Sequence, residues 1–526
     1  MNVIGLPQPY FMHSQEIQAA IEWETERTEI LENPSYQNYQ LDCLNPEQLE
    51  IANEIIKLLE QNNRQQMKVI FVTGAGGCGK TRLHNSLIMQ ALRQNKIIAT
   101  AAWSGIAATL LIKGQTVHKT FHLPLHFEGG QTIHISPSSA SGRFLKSVDL
   151  FIIDEASMIP LKAWQKIDTL FKDLNNNNIA MGGQLFVISG HFAQILPIIK
   201  HGTRPHIINN CLTSWEEWKH VPIKNLTKNM RTEPGAGDFA AWLLQLESGS
   251  TNTTSDTNNP NNVILPVDLC VKKGELIGEI FRHMTEHTVA SYHNNVILTP
   301  WNDSANEINQ VILQNHFQST EKTYYSKDEA ILPEENPEHP ADTLYPQEFL
   351  HSMTPSGMPP HELQLKQGAI VIILRTLNMK QHLCNGRRMI VEHMTQNGLK
   401  LKHIGDLEGQ PSVWVPRIIF KSEPLPFVLV RRQFPVKLAF CMTIDKSQGN
   451  TFNKVGVFLP RPVFSHGQFY VACSRTKSFK RLKFEILHDA EGIPLPDDYD
   501  HVNNPPLNIT RNIVYEEIFK RVNKQE

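Results

Sequence analysis

Short apolar runs alternate with helix-like stretches along the first half of the chain. The runs cover 68–73, 96–102, 148–153, 184–189 and 221–226. This alternation predicts a parallel sheet with helices on both faces. A helix is predicted from Asn45-Pro46, a capping side chain followed by proline at the first helical position. Leu49, Ala52, Ile55, Ile56 and Leu59 give that helix one buried face. The stretch SGSTNTTSDTNNPNN, 248–262, reads as a polar linker or long loop. A second α/β pattern follows, with strand candidates at 295–299, 437–443 and 455–459. Between 366 and 432 the texture changes to short β-rich runs (369–374, 388–392, 413–415, 418–421) broken by Gly and Pro. These predict a small all-β insert. Residues 1–40 are polar and predict no element.

The loop GAGGCGKT, Gly74 to Thr81, follows the first apolar run directly. It matches G-x-x-x-x-G-K-[ST], the pattern of a phosphate-binding loop. Gly74, Gly76, Gly77 and Gly79, with Ala75 and Cys78 between them, allow a tight turn whose N–H groups point at phosphate oxygens. Lys80 supplies a point charge for the β- and γ-phosphates, and Thr81 a hydroxyl for Mg²⁺. A helix over 81–93 would turn its N-terminus to the anion. The third apolar run ends in Asp154-Glu155. Asp154 is expected to hold Mg²⁺, mainly through water, and Glu155 to polarise the attacking water. A glycine-rich turn and a strand end with solvated acids are the plainer readings of each feature alone. Together they point to binding and hydrolysis of a nucleoside triphosphate.

Composition adds bounds. The chain has 526 residues, enough for two to four domains, with 40% hydrophobic residues and a net charge of −2. Any basic surface for nucleic acid must therefore be local. No apolar run approaches the roughly 18 residues of a membrane span, and the N-terminus lacks a signal-peptide pattern. Seven scattered cysteines without C-x-x-C fit free thiols in a reducing, intracellular compartment. His118 and His122 are four apart but lack acidic or Cys partners, so no metal site is read there.

Further blocks follow in order: IATAAWSGIAATLL, QTVHKTF, IIDEASMI, GGQLFVISGHFAQILPI, LTKNMRT, LTPWNDSANEIN, FLHSMTPSGMPPHELQLKQGA, RRQFPVKLAFCMTIDKSQGNTFNKVGVFL and FSHGQFYVACSRT. From Leu44 to the segment ITRNIVYEEIF at 509–519, the chain closely resembles the petite-integration-frequency (PIF) type DNA helicases of superfamily one. TPSGMPP, RRQFPV and FSHGQFYVACSR resemble the branch carried by Helitron transposons. The resemblance implies an α/β fold of two RecA-like domains, 41–231 and 232–365 with 433–490. It also implies an SH3-like β insert at 366–432 and a tail at 491–526 that ends in a helix. It implies ATP and Mg²⁺ in the cleft and single-stranded DNA across the top, with 5′-to-3′ movement and action at duplex junctions. The roles implied are recombination, repair, telomere maintenance or Helitron transposition, in the nucleus of a eukaryote. Gln48 matches the adenine-reading glutamine, although its spacing from Asn45 also suits a capping box. Gln194 matches the γ-phosphate sensor, and Arg231 and Arg475 the two arginines that clamp that phosphate. Gln448-Gly449 matches the element that couples nucleotide to the second domain. DNA contacts are expected at Trp103, Ser104, His118, Phe192, Thr443, Lys446 and Ser447, through stacking and backbone contacts. Core packing is the competing reading of Trp103 and Phe192. Arg431 and Arg432 are candidate phosphate contacts or a solvated pair.

Three residues depart from the family pattern. His191 stands where the family has Asp, Cys473 where it has Leu, and Asp445 where Asn or His is common. Restoring the acid with His191→Asp is expected to raise DNA-stimulated turnover. The initiator nuclease of Helitron transposases finds no room in residues 1–40, so a separate helicase and a piece of a larger element are both open. The rival reading is a decayed relative that binds nucleotide or DNA without unwinding. A small GTPase or kinase is disfavoured, since no Asn-Lys-x-Asp guanine reader follows.

Overall fold

The computed structural model describes residues 14–61, 63–124, 133–199, 201–230, 233, 235–251, 259–285, 287–332, 345–407, 409–422, 426–496, 499–500 and 503–523. The first domain is built on a six-stranded parallel sheet. Its order is Gln115–Thr116, Ile98–Ala102, Leu150–Asp154, Leu185–Gly190, Lys68–Thr73, Ile223–Asn225. The apolar runs are continuous because both faces are covered. Val69, Phe71, Phe151, Ile153, Phe186 and Ile188 enter one core layer. Ile70, Val72, Leu150, Ile152, Leu185 and Val187 enter the other. The period-two alternation of a strand thus divides one run between two layers. The predicted helix is Pro46–Glu60, and its capping box forms.

The second domain has a four-stranded parallel sheet in the order Cys441–Thr443, Asn295–Thr299, Lys454–Leu459, Leu482–Ile486. Antiparallel sheets lie between these strands in sequence. One has five strands: Val413–Pro416, Gly398–His403, Arg388–Met394, Ile370–Ile373 and Val436–Leu438. Another joins Lys327–Ile331, Val428–Gln433 and Ile418–Lys421, and a third pairs Glu362–Leu365 with Lys322–Tyr325. Antiparallel strands therefore lie on both sides of the 366–432 interval expected from sequence.

The N-terminal end differs from expectation, whereas the C-terminal tail ends in the expected helix. The polar N-terminal region contains the helix Ser14–Glu32. Ile30 and Leu31 pack on the first domain, and Arg27 Nε donates to Leu92 O at 2.8 Å. At the other end, strand Ile509–Arg511 pairs with Asn262–Ile264, and helix Glu516–Val522 returns to the first domain. There Ile518 is buried, Arg521 Nη1 donates to Ser214 Oγ at 2.6 Å, and Arg204 pairs with Glu517 at 2.6 Å. The C-terminal segment thus straps the two domains together. Among the described residues no helix is long and apolar enough to cross a membrane.

Candidate nucleotide site and nucleic-acid groove

A parallel sheet gathers the carboxyl ends of its strands on one edge, where ligands bind. Here Thr73, Ala102, Asp154 and Gly190 end neighbouring strands on that edge. The phosphate loop follows Thr73 and opens helix Lys80–Arg93. Gly77 and Gly79 have φ of 99° and 82°, a region that costs glycine little. A Cβ at Gly79 would lie 2.3 Å from Gln48 Nε2, and one at Gly74 2.6 Å from Leu226 O. Glycine is needed for close approach as well as for φ. Lys80 Nζ donates to Gly74 O at 2.5 Å, so the cation bends back over the loop.

Gln48 braces this loop from behind. Its N–H donates to Asn45 Oδ1 at 2.9 Å, and Asn45 N–H to Gln48 Oε1 at 3.1 Å. Its Nε2 donates to Cys78 O at 3.1 Å. The side chain is buried and its amide is engaged at both ends. The capping-box reading of Gln48 is thus realised, beside the adenine-reading role that the resemblance implies.

Asp154 is buried, and its Oδ1 accepts from Ser189 Oγ at 2.6 Å and from Glu155 N–H at 2.9 Å. Glu155 has φ 56° and ψ 35°, an uncommon conformation for a residue with a Cβ. Thr81 and Asp154 are the hard oxygen donors that Mg²⁺ prefers. His84, one turn into the helix, is fully buried with neither ring nitrogen hydrogen-bonded. Burial pushes its pKa down, against the opposing pull of Asp154. A neutral imidazole there adds no charge against a cation, so the donor set fits the metal.

The second domain closes on this edge. Gln448 Nε2 donates to Gln194 Oε1 at 3.0 Å, and Gly449 follows with φ 81°. His466 Nδ1 accepts from Tyr515 N–H at 2.8 Å, so its Nε2–H donates to Phe192 O, also at 2.8 Å. Burial lowers the His466 pKa to about 4 and keeps that tautomer neutral. Gly467 packs so tightly that a Cβ would lie 2.5 Å from Ala193 O. Tyr470 reaches the Gly76 backbone of the phosphate loop. Arg475 is buried five residues later, donating to Val471 O, Asn450 O and Ser474 Oγ at 2.9–3.2 Å. Arg231 lies outside the described residues. The residues before it run along the loop, with Met230 N–H on Gly77 O at 2.9 Å and Asn229 Nδ2 on Gly76 O at 3.5 Å.

Beside the cleft lies a groove of about 960 Å³ lined by both domains. It brings together Trp103, Ser104, His118, Thr443 and Lys446. The Trp103 and His118 rings lie 4.7 Å apart, and burial holds the His118 pKa down. Ser104 also caps helix Gly105–Leu110, accepting from Ala107 N–H at 3.1 Å. Asp445 lies in the same groove, where burial pushes its carboxyl pKa up.

Three expectations are corrected. Phe192 is a core residue, packed against Phe71 at 5.4 Å and Trp218 at 5.8 Å, and offers no face for a base. Ser447 is fully buried and donates to Ile444 O at 2.7 Å. Arg431 is fully buried and bidentate on Asp328, with Nη2–Oδ2 at 2.6 Å and Nε–Oδ1 at 2.9 Å. Only Arg432 of that pair is exposed. The groove also contains Lys437 and Phe464, residues that sequence reasoning passed over. Both sit inside quoted blocks, RRQFPVKLAF and FSHGQF, and only their blocks could have pointed to them.

The sequence matches the family model for PIF1-like helicase over residues 43–257, and that for the DNA helicase Pif1 2B domain over 348–394. The human ATP-dependent DNA helicase PIF1 is 28% identical over 430 residues, covering 79% of this chain and 58% of the relative. The Danio rerio protein of the same name is 25% identical over 424 residues, with the same coverages of 79% and 58%. The chain thus spans about three-fifths of the length of these vertebrate relatives. It spans 83% of the Bdellovibrio bacteriovorus ATP-dependent DNA helicase Pif1, at 26% identity over 425 residues. Among solved structures, Bacteroides Pif1 bound to single-stranded DNA matches with a TM-score of 0.61 and 22% identity, covering 89% of this chain and 99% of that one. Candida albicans Pif1 matches with a TM-score of 0.60 and 23% identity, covering 86% and 97%. The fold is therefore that of Pif1, two RecA-like α/β domains. With both segments present in order, the chain is similar to PIF1-like helicases over 43–257 and to the Pif1 2B domain over 348–394.

Proposed function

We propose that this protein is an ATP-dependent DNA helicase that moves 5′ to 3′ on single-stranded DNA and opens duplexes at junctions. The observation that carries this reading is the shared sheet edge. It sets the phosphate loop beside Asp154-Glu155 and opens toward a groove lined by both domains. Lys80 and the loop N–H groups bind the triphosphate. Thr81 and Asp154 would hold Mg²⁺, which when bound would offset phosphate charge. Glu155 accepts the proton of the attacking water, and Gln194 orients that water against the γ-phosphate. Arg475 and Arg231 stabilise charge on the transferred group, the first from the second domain. Because Gln194 and Gln448 are joined across the cleft, a change at the γ-phosphate is passed to the second domain and so to the groove. Direction, the Helitron-like branch and a role in recombination, repair, telomere maintenance or transposition rest on the sequence blocks. All seven cysteines are free, in keeping with an intracellular, and in a eukaryote nuclear, protein.

The test compares duplexes with a 5′ or a 3′ single-stranded tail. Unwinding is expected from the 5′ tail alone, and unwinding only from the 3′ tail refutes the direction. Affinity for the tail is expected to fall steeply with added salt and to vary little with base sequence. Trp103→Ala is expected to weaken single-strand binding by about 1–3 kcal/mol, the worth of one base stacked on an aromatic ring. Fluorescence anisotropy with a labelled oligonucleotide reads this, and an unchanged affinity removes Trp103 from the contact surface.

A further inference from the structure

His191 lies one residue beyond strand Leu185–Gly190, which pairs with the strand that ends in Asp154. Its backbone N–H donates to Ser157 Oγ at 3.2 Å. A Cβ at Gly190 would lie 2.7 Å from Ser157 N. The backbone at 190–191 is therefore held against the turn that begins at Glu155. His191 Nε2 lies 3.2 Å from Glu247 Oε2, at ion-pair distance but off the line of a hydrogen bond. Both atoms are fully buried, and neither has a hydrogen-bond partner.

Glu247 lies in the last turn of helix Gly237–Ser248. That helix belongs to the second domain: Phe239, Leu243 and Leu246 join the core that holds Phe469 and Val471. The Glu247 charge acts on Tyr470 and on Cys78 of the phosphate loop, helping to raise the pKa of each. The His191 ring lies 5.6 Å from that of Tyr470. A carboxylate from the second domain thus stands beside the loop, with the imidazole of the first domain against it.

We propose that His191 and Glu247 form one positioning pair for ATP hydrolysis. Glu247 brings the negative charge absent at position 191, and brings it only when the cleft is closed. This rests on the nucleotide reading above. Here the charge depends on the second domain's approach, so hydrolysis is tied to domain closure. The pair also reverses the expectation for His191→Asp. That change alone sets two carboxylates face to face in a buried place, where like charges disfavour joint ionisation.

The test is calorimetric binding of ADP with aluminium fluoride, and of ADP alone, in the presence of Mg²⁺ and single-stranded DNA. For Glu247→Gln we expect about tenfold weaker binding of the ADP–aluminium fluoride complex, with ADP within twofold of wild type. Steady-state kcat is expected to fall with KM for ATP unchanged. For His191→Asp we expect a larger loss, and the double variant His191→Asp/Glu247→Gln is expected to recover most of it. Three outcomes overturn the pair: wild-type behaviour in Glu247→Gln, equal weakening of ADP and of the fluoride complex, or no recovery in a folded double variant. Failure of wild type to bind ADP at all refutes the nucleotide reading itself, and the pair's role with it.

Discussion

Glu155→Gln is expected to bind ATP like wild type and to turn it over at least about 10²-fold more slowly, the cost of one pre-aimed electrostatic group. Glu155 follows Asp154 at a strand end whose register with Ile98–Ala102 is set by five consecutive pairs. Its positive φ is paid for by the sheet that fixes its neighbours, as happens at sites where orientation matters more than local comfort. The amide keeps the size of the carboxylate and loses its ability to accept a proton. Binding should survive because the loop, Lys80 and Thr81 are untouched. Lys80→Ala is the contrast: it removes the cation that now covers Gly74 O, so nucleotide affinity and turnover should fall together. A fluorescent ATP analogue and a phosphate-release assay separate the two. Wild-type turnover in Glu155→Gln removes the assignment.

The largest loss of stability is expected at Arg431. Its guanidinium and the Asp328 carboxylate are both fully buried, and Arg431 also donates to Pro359 O and Leu350 O at 3.0 Å. Removing one member of such a pair leaves a buried charge without a counter-charge, at a cost of about 3–5 kcal/mol. Arg431→Ala should therefore lower the unfolding midpoint of the second domain strongly. Arg431→Met with Asp328→Leu should recover part of the loss, since no lone charge remains, although two carbonyls lose their donor. Per folded molecule, DNA affinity should not change. A lower DNA affinity with normal stability would restore the phosphate-contact reading of Arg431.

The first sheet was legible because burial on both faces makes its strands nearly pure apolar runs. All five predicted strands appear with ends shifted by no more than two residues. Strands with one covered face were harder to see. Lys327–Ile331 reads KDEAI, with alternate residues exposed, and does not stand out from a helix or a loop; Leu482–Ile486 is buried almost throughout, but Lys483 and Glu485 interrupt its apolar run. Helix Ser14–Glu32 was missed because its polar and apolar residues form no clear stripe; among its described residues Ile30 and Leu31 pack on the core. Of the site, the phosphate loop and the acids at 154–155 were legible because their chemistry is local. Residues that act through distant partners were not. A buried Phe192 and a stacking Phe192 look alike in a sequence. Arg431 needs a partner 103 residues away, Asp328. Glu247 ends a leucine-rich helix, and only the packing of two domains turns it toward the loop.

If nucleotide hydrolysis and the interdomain groove work as one device, single-stranded DNA should control the rate of hydrolysis. The most direct measurement is the rate of ATP hydrolysis by the wild-type protein with and without single-stranded DNA. Slow hydrolysis alone and a large stimulation by DNA, lost in Glu155→Gln, are expected. Nucleotide and DNA each bound without any stimulated hydrolysis would contradict that coupling, and would leave a binding protein in place of a motor.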